Sequence, residues 1–436
     1  MTSSEPVSTD LLADDPSPVV GSRPHLLLSS RPWLMVVAQF FPIIALGLAY
    51  PLVVDRLAGS SPGGASIAVL LVTCAVITPT LAQAVAAPVY LHLHGERAKD
   101  PRFTARAVLR AALPALLVVS PLILLASAAA AAARHLPLVA ATELFGLLLL
   151  HVVMGALMVP AYALRAPVLL ALPWTVYVTA LLAAPTLIWM PALAAAVVQA
   201  SALAVIATRR PISTPPSRLH VTVRAAAAGS LRGAAEGLPL WSIPVAVWLI
   251  DVRLESIGFI YIALLPGVLA HQLFFVRVID PAWVRLEDAR EALSTQPYAV
   301  ARQRFDRFAR SLTAGVGQAT VLLVILSLVL ISAAIGMHWT HGPLLLVIIA
   351  AAFAAVVAMM QSYAIAMVGS AAPLAALGTG ALAVVAVGVS LRLPDVLVLT
   401  GAAVLYLLCA AVFTVVAGRA MQRPEYALFW RQAVAS

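Results

Sequence analysis

The chain has 436 residues, of which 62% are hydrophobic and 10% charged, and its mean hydropathy is +1.01. That balance excludes a soluble globular protein: repeated long apolar runs describe a polytopic helical membrane protein, with no polar stretch long enough for a separate soluble domain. The formal charge of +9 does not point to nucleic acid, because the arginines sit in short loops flanking the apolar runs, the distribution that orients membrane helices.

In chain order, residues 1–23 are rich in Ser, Pro and Asp without an apolar run, which predicts a disordered cytoplasmic tail. This tail lacks the early basic patch and short apolar core of a signal peptide. About twelve segments able to span a bilayer follow, near 33–54, 65–91, 107–133, 136–161, 166–188, 190–208, 226–250, 257–279, 312–336, 343–367, 371–391 and 396–418. The fold class expected is therefore all-α, a transmembrane bundle. A Pro-rich, basic linker at 209–222, RRPISTPPSRLHVT, divides it into a six-helix lobe at 24–208 and another at 223–436. The longest polar insert, Asp280 to Arg310, carries Arg302, Phe305, Phe308 and Leu312 at helical spacing, which predicts an amphipathic segment on the inner leaflet.

The basic residues set the orientation. With both termini in the cytoplasm, only Arg56, Arg134, Arg253 and Arg392 face outside, and the even helix count agrees. Cys74 and Cys409 both fall inside spans, which does not suit a disulfide framework. Lys99 is the only lysine and follows alanine, so a phosphate-binding Gly-Lys-Ser/Thr loop is absent. No cofactor is expected. His92 and His94 are two apart and point to different faces of a helix. His338 and His341 are better spaced, but no Cys or carboxylate stands near them, so no metal site is expected.

The seventh segment, VRAAAAGSLRGAAEGLPLWSIPVAVWLIDVRLES, carries charge within a span. Arg232 and Glu236 are four apart, share a helix face and can pair. Counting back about 20 residues from Ile250 reaches Leu231, which puts Arg232 at the cytoplasmic rim and Glu236 one turn inside. Arginine can snorkel from there; the shorter glutamate hardly can. Gly229 and Gly233 on the same segment are spaced for close helix packing. Elsewhere, Glu143 and His151 lie in the fourth span and His271 in the eighth, while Gln39 and Gln83 are among the polar interruptions that join helices or line a path. Glu236, Glu143 and His151 are the candidates for a protonatable coupling group.

The two halves show weak self-similarity. Arg31 precedes Pro42 by nearly the interval that separates Arg232 from Pro244, and each arginine opens the first helix of its half. Each half's second helix leads into a basic cytoplasmic stretch, HLHGERAKDPRFTARAVLR in one and Asp280 to Arg310 in the other. An even number of intervening spans makes such a repeat parallel, about an axis along the membrane normal.

This organisation, with GLPLWSIPVAVWLIDVRLESIGFIYIALLPGVLAHQLFFVRVIDP carrying most of the likeness, resembles the MOP superfamily, and within it the polysaccharide and lipid-linked oligosaccharide flippases. The resemblance implies a multi-pass protein of a bacterial cytoplasmic (inner) membrane that moves a lipid-linked saccharide, or a similar amphipathic lipid, by alternating access, with glycosyltransferases as partners. It implies a phosphate-binding role for Arg31 and Arg232, with Glu236 beside the latter. Gln39 and His271 complete the expected substrate-binding set. The spans carry few other charges, so a strongly cationic cavity is not evident. Two other functions fit the composition. A polytopic glycosyltransferase would use Asp55 in the first external loop, although Arg56 follows it and the external loops are short. A membrane scaffold of an envelope-synthesis complex would need no cavity between the halves.

Overall fold

Apolar runs of this length have one way to satisfy their backbone polar groups away from water, the α-helix, and among the described residues every regular element is helical. The structure is a computed structural model that describes residues 32–58, 62–95, 101–164, 166–208, 223–250, 257–337 and 342–435. The first half comprises α1 (Pro32–Ala58), α2 (Pro62–Gly95), α3 (Pro101–Ala133), α4 (Leu138–Ala163), α5 (Pro167–Ala183) and α6 (Met190–Thr208). The second comprises α7 (Val223–Ile250), α8 (Ile257–Phe274), α9 (Asp280–Thr295), α10 (Tyr298–Gly336), α11 (Gly342–Val368), α12 (Ala372–Ser390), α13 (Asp395–Gln422) and a terminal α14 (Pro424–Ala435). Among the described residues 11 helical segments are long and apolar enough to cross a membrane, and α5 is a shorter apolar helix.

Three local features depart from expectation. First, α5 stops at Ala183 rather than running on to 188. Pro185 follows Ala184, and the residue before a proline is pushed out of the helical region; Ala184 sits at φ −140, ψ 66. Its 17 residues reach about 25 Å, short of the roughly 30 Å hydrocarbon core. Second, α8 does not end at 279. A π-helical turn, Phe275–Ile279, joins it to α9, and the Asp280 amide bonds back to the Phe275 carbonyl. The widened turn stands directly before Pro281, which has no amide hydrogen to continue the ordinary ladder.

Third, the 280–310 stretch is not a segment lying on the leaflet. It is a helical hairpin in which α9 packs on the first turns of the 39-residue α10. Phe305, Phe308 and Leu312 are buried and Arg302 is exposed, so the apolar face meets protein. At about 1.5 Å per residue α10 is far longer than a bilayer core, so the hairpin projects beyond it.

The packing follows the repeat. Within the first six helices α1 meets α5, α2 meets α4, α3 meets α4 and α4 meets α6. Helices α7 and α12, α8 and α11, α10 and α11, and α11 and α13 form the same set in the second half. Between the halves α2 packs on α7 and α8 on α1, the exchange that a twofold along the membrane normal requires. Helix α6 ends at Thr208 and α7 begins at Val223, and residues 209–222 between them lie outside the described residues.

Contact between the halves is closest along one stripe of α7. A Cβ at Gly229 would stand 2.9 Å from the Cβ of Pro88, and one at Gly233 would meet the Gln83 carbonyl and Ala87; one at Gly237 would meet the Gln83 side chain and Thr80. Small residues at every fourth position let the two backbones approach without lipid between them. On the opposite side of α7, Gly378 of α12 lies against the Ala235 backbone.

Candidate functional site

Between the halves is a cavity of about 400 Å³, walled by α1, α2, α4, α5, α7, α8, the π-turn and α11. It extends from the middle of the bundle toward the end at which α1 and α7 begin. Five of the side chains singled out in the sequence line it: Gln39, Gln83, His151, Glu236 and His271. Arg232 is not in the wall but donates from Nε to Glu236 Oε1 at 2.7 Å, so the expected pair exists and turns its carboxylate toward the cavity. Glu143 is half-buried on α4 and outside the cavity wall. Arg31, His338 and His341 lie outside the described residues.

Each half supplies a polar cluster from equivalent helices. In the first half the chain of bonds can be given a direction. The Leu147 carbonyl can only accept, and it takes the His151 Nδ1–H at 2.8 Å. The neutral ring's Nε2 is therefore an acceptor and receives the Tyr177 hydroxyl at 2.9 Å. The Tyr177 oxygen in turn accepts from the Tyr50 hydroxyl at 2.7 Å. Cys74 completes the cluster, with Sγ 3.3 Å from His151 Nδ1 and 3.4 Å from the Thr78 hydroxyl.

In the second half the cluster is charged. Tyr363 on α11 shares the cavity wall with Glu236, whose carboxylate Arg232 pairs. His271 packs beside Tyr363 and Phe275, with ring centroids 6.1 and 5.4 Å away, and Phe275 meets Tyr363 edge-on at 4.9 Å. The ion pair is partly shielded, its side chains 25% and 15% exposed for Arg232 and Glu236.

Several cavity atoms have no hydrogen-bond partner among the described residues. Both polar atoms of Gln39, the side-chain oxygen of Gln83 and Nε2 of His271 are buried and unpartnered. Gln39 is 3% exposed and His271 6%. Groups orphaned in this way are costly in a packed interior, and they concentrate where a ligand binds.

Bonds between the halves link them at both ends of the bundle. Where α3 and α7 finish, the Arg134 guanidinium donates to the Trp248 carbonyl and lies over the Trp248 ring, 4.8 Å from its centroid. That carbonyl belongs to the last turn of α7, where carbonyls lack intrahelical partners and a cation is favoured by the helix dipole. At the other end the Tyr90 hydroxyl of α2 donates to Asp280 at 2.7 Å. In the middle the Tyr261 hydroxyl of α8 donates to the Ala75 carbonyl of α2 at 2.8 Å.

Sequence reasoning found the charged and amide groups of the wall and missed its tyrosines. Tyr50, Tyr177, Tyr261 and Tyr363 read as apolar rings in apolar runs, yet a buried phenol needs a hydrogen-bond partner, and that need was the available signal. Asp55, the acid of the glycosyltransferase alternative, is exposed near the end of α1 and outside the cavity wall. Among the described residues no three potential metal ligands converge.

No protein-family model matches the chain, and no curated protein matches its sequence. Among solved structures it is similar to an inward-facing multidrug resistance transporter of the MATE family in the MOP superfamily. The identity is 13%, the likeness covers 90% of this chain and 99% of that one, and the TM-score is 0.50. A MATE structure in complex with MaD3S aligns at 13% identity over 92% of this chain and 98% of that one, with a TM-score of 0.49. An outward-facing MATE multidrug transporter aligns at 14% identity, over 92% of this chain and 98% of that one, with a TM-score of 0.46. The chain thus has the fold of the MOP superfamily transporters, and the first of these likenesses carries that statement.

Proposed function

We propose that the protein is a secondary transporter that works by alternating access, and that its cargo is a lipid-linked saccharide or a related amphipathic lipid of the cell envelope. The observation that carries this reading is the cavity between two repeat-related halves in a transporter fold. A bundle without such a cavity would have favoured the scaffold alternative. Substrate enters from the end of the bundle that the arginine distribution assigns to the cytoplasm. Arg232 meets the phosphate at the mouth, while the remainder of the headgroup occupies the cavity; Arg31, its counterpart in the sequence repeat, lies outside the described residues. Glu236, held by Arg232 and sharing the wall with Tyr363, is the group placed to exchange partners when an anion arrives.

The test is reconstitution into liposomes with a fluorescent polyprenyl-linked sugar, following loss of signal to a membrane-impermeant quencher. Protein-dependent translocation that falls when Arg232 or Glu236 is replaced supports the proposal. No translocation of several such lipids by folded protein overturns it.

A further inference from the structure

We infer that the cavity recognises an uncharged headgroup carrying a hydrogen-bond donor next to an acceptor, a vicinal diol or a carboxamide, and that Gln39 and His271 are its reading residues. This deepens the transporter reading above and rests on it. Among the described wall residues the only Asp, Glu, Lys or Arg side chains are Glu236 and Asp280, and both are acidic. Glu236 is matched by Arg232, and Asp280 accepts the Tyr90 hydroxyl. A phosphate in the cavity would therefore face two carboxylates and no described wall cation. A permanently cationic ligand at Glu236 would have to displace Arg232, and one at Asp280 would have to compete with the Tyr90 hydroxyl.

The groups left without partners are neutral. Gln39 offers one carbonyl and one amide NH₂, both buried and both unpartnered, and His271 adds an unpartnered ring nitrogen from the facing half. A carboxamide side chain accepts and donates through neighbouring atoms, so its complement is a ligand that does the same. Rings of Trp174, Trp241 and Phe275 in the same wall supply flat apolar surfaces for the body of such a ligand.

The test uses the full-length protein in lipid nanodiscs and a photoactivatable octyl β-glucoside, kept below its micelle-forming concentration, with the labelled peptides mapped by mass spectrometry. Unlabelled octyl glucoside, octanamide, octyl phosphate and octyltrimethylammonium compete, all with the same tail. The expected result is labelling of peptides from α1 and α8, displaced by the two neutral competitors and at least tenfold less well by the two charged ones. Gln39→Leu should weaken the apparent affinity for the glucoside about tenfold or more, as loss of one to two hydrogen bonds in a buried site does. Because the native amide has no partner among the described residues, this apolar substitute is compatible with folding, and Gln318→Leu at an exposed position of α10 serves as control.

Competition by octyl phosphate or octyltrimethylammonium equal to that of the glucoside overturns the inference, as does a Gln39→Leu protein that labels like the wild type. Head selectivity that depends on Gln39, in a protein that translocates no lipid, leaves this site standing and removes the transport reading. Translocation together with equal competition by octyl phosphate does the reverse.

Discussion

Gly233→Ala, a single added methyl group, should separate or destabilise the two halves, whereas Gly401→Ala should do neither. At Gly233 the new Cβ would run into the Gln83 carbonyl and stand 2.7 Å from the Cβ of Ala87. A backbone oxygen cannot rotate aside, so relief requires α2 and α7 to move apart along their contact. Overpacking of this kind costs about 1–3 kcal/mol. Gly401, exposed on α13, has nothing within 4 Å of its would-be Cβ, so alanine there gains roughly 0.5–1 kcal/mol of helix stability. The two alanine variants should therefore differ by about 2–4 kcal/mol. Unfolding of the purified protein by sodium dodecyl sulfate titration in mixed micelles, followed by tryptophan fluorescence, measures the difference. If Gly233→Ala unfolds within about 0.5 kcal/mol of Gly401→Ala, α2 and α7 do not meet at this depth and the packing between the halves is misassigned.

Three further outcomes follow from the polar contacts. Arg232→Ala leaves Glu236 in the cavity wall without its partner, so it should destabilise more than Glu236→Gln, and the double variant should recover part of the loss; a cycle on the same unfolding assay should give a coupling of about 0.5–3 kcal/mol. Tyr177→Phe removes both the donor to His151 and the acceptor for Tyr50, so it should cost about 1–3 kcal/mol, more than Tyr50→Phe, which removes only the first donor of that chain. Arg134→Ala removes a charge-assisted hydrogen bond and a cation–π contact between α3 and α7. Spin labels at the adjoining ends of these helices should then show a longer-distance population at least tenfold larger than in the wild type, and an unchanged distance distribution would mean that the contact does not hold that end closed.

Much of the bundle was legible because a span must be apolar for about 20 residues whatever surrounds it. The partner of an amphipathic face was not. Phe305, Phe308 and Leu312 make the same stripe whether it lies on lipid headgroups or on a second helix, and only the contact with α9 separates the two readings. The site divides along a similar line. Glu236, Gln39, His151 and His271 stand out because a polar group in a span needs a reason to be there. Their neighbours Tyr363 and Tyr177 do not stand out, because the ring satisfies the hydropathy pattern and hides the hydroxyl. The spacing of Gly229 and Gly233 signalled close packing, but the partner, α2, depends on how the halves are arranged in space.

The packing obeys the twofold while the chemistry on either side of it does not. Equivalent helices place an uncharged Tyr50–Tyr177–His151 chain on one wall and a charged Arg232–Glu236 pair on the other, so a ligand in the cavity meets two different surfaces and has a preferred orientation. The contacts at the two ends are chemically different as well. One is arginine on a free helix-terminal carbonyl, and the other is a tyrosine hydroxyl on a carboxylate. Hydrogen bonds involving one charged partner contribute about 1.5–3 kcal/mol each, so neither contact alone resists a ligand whose affinities for two arrangements of the halves differ by a few kcal/mol.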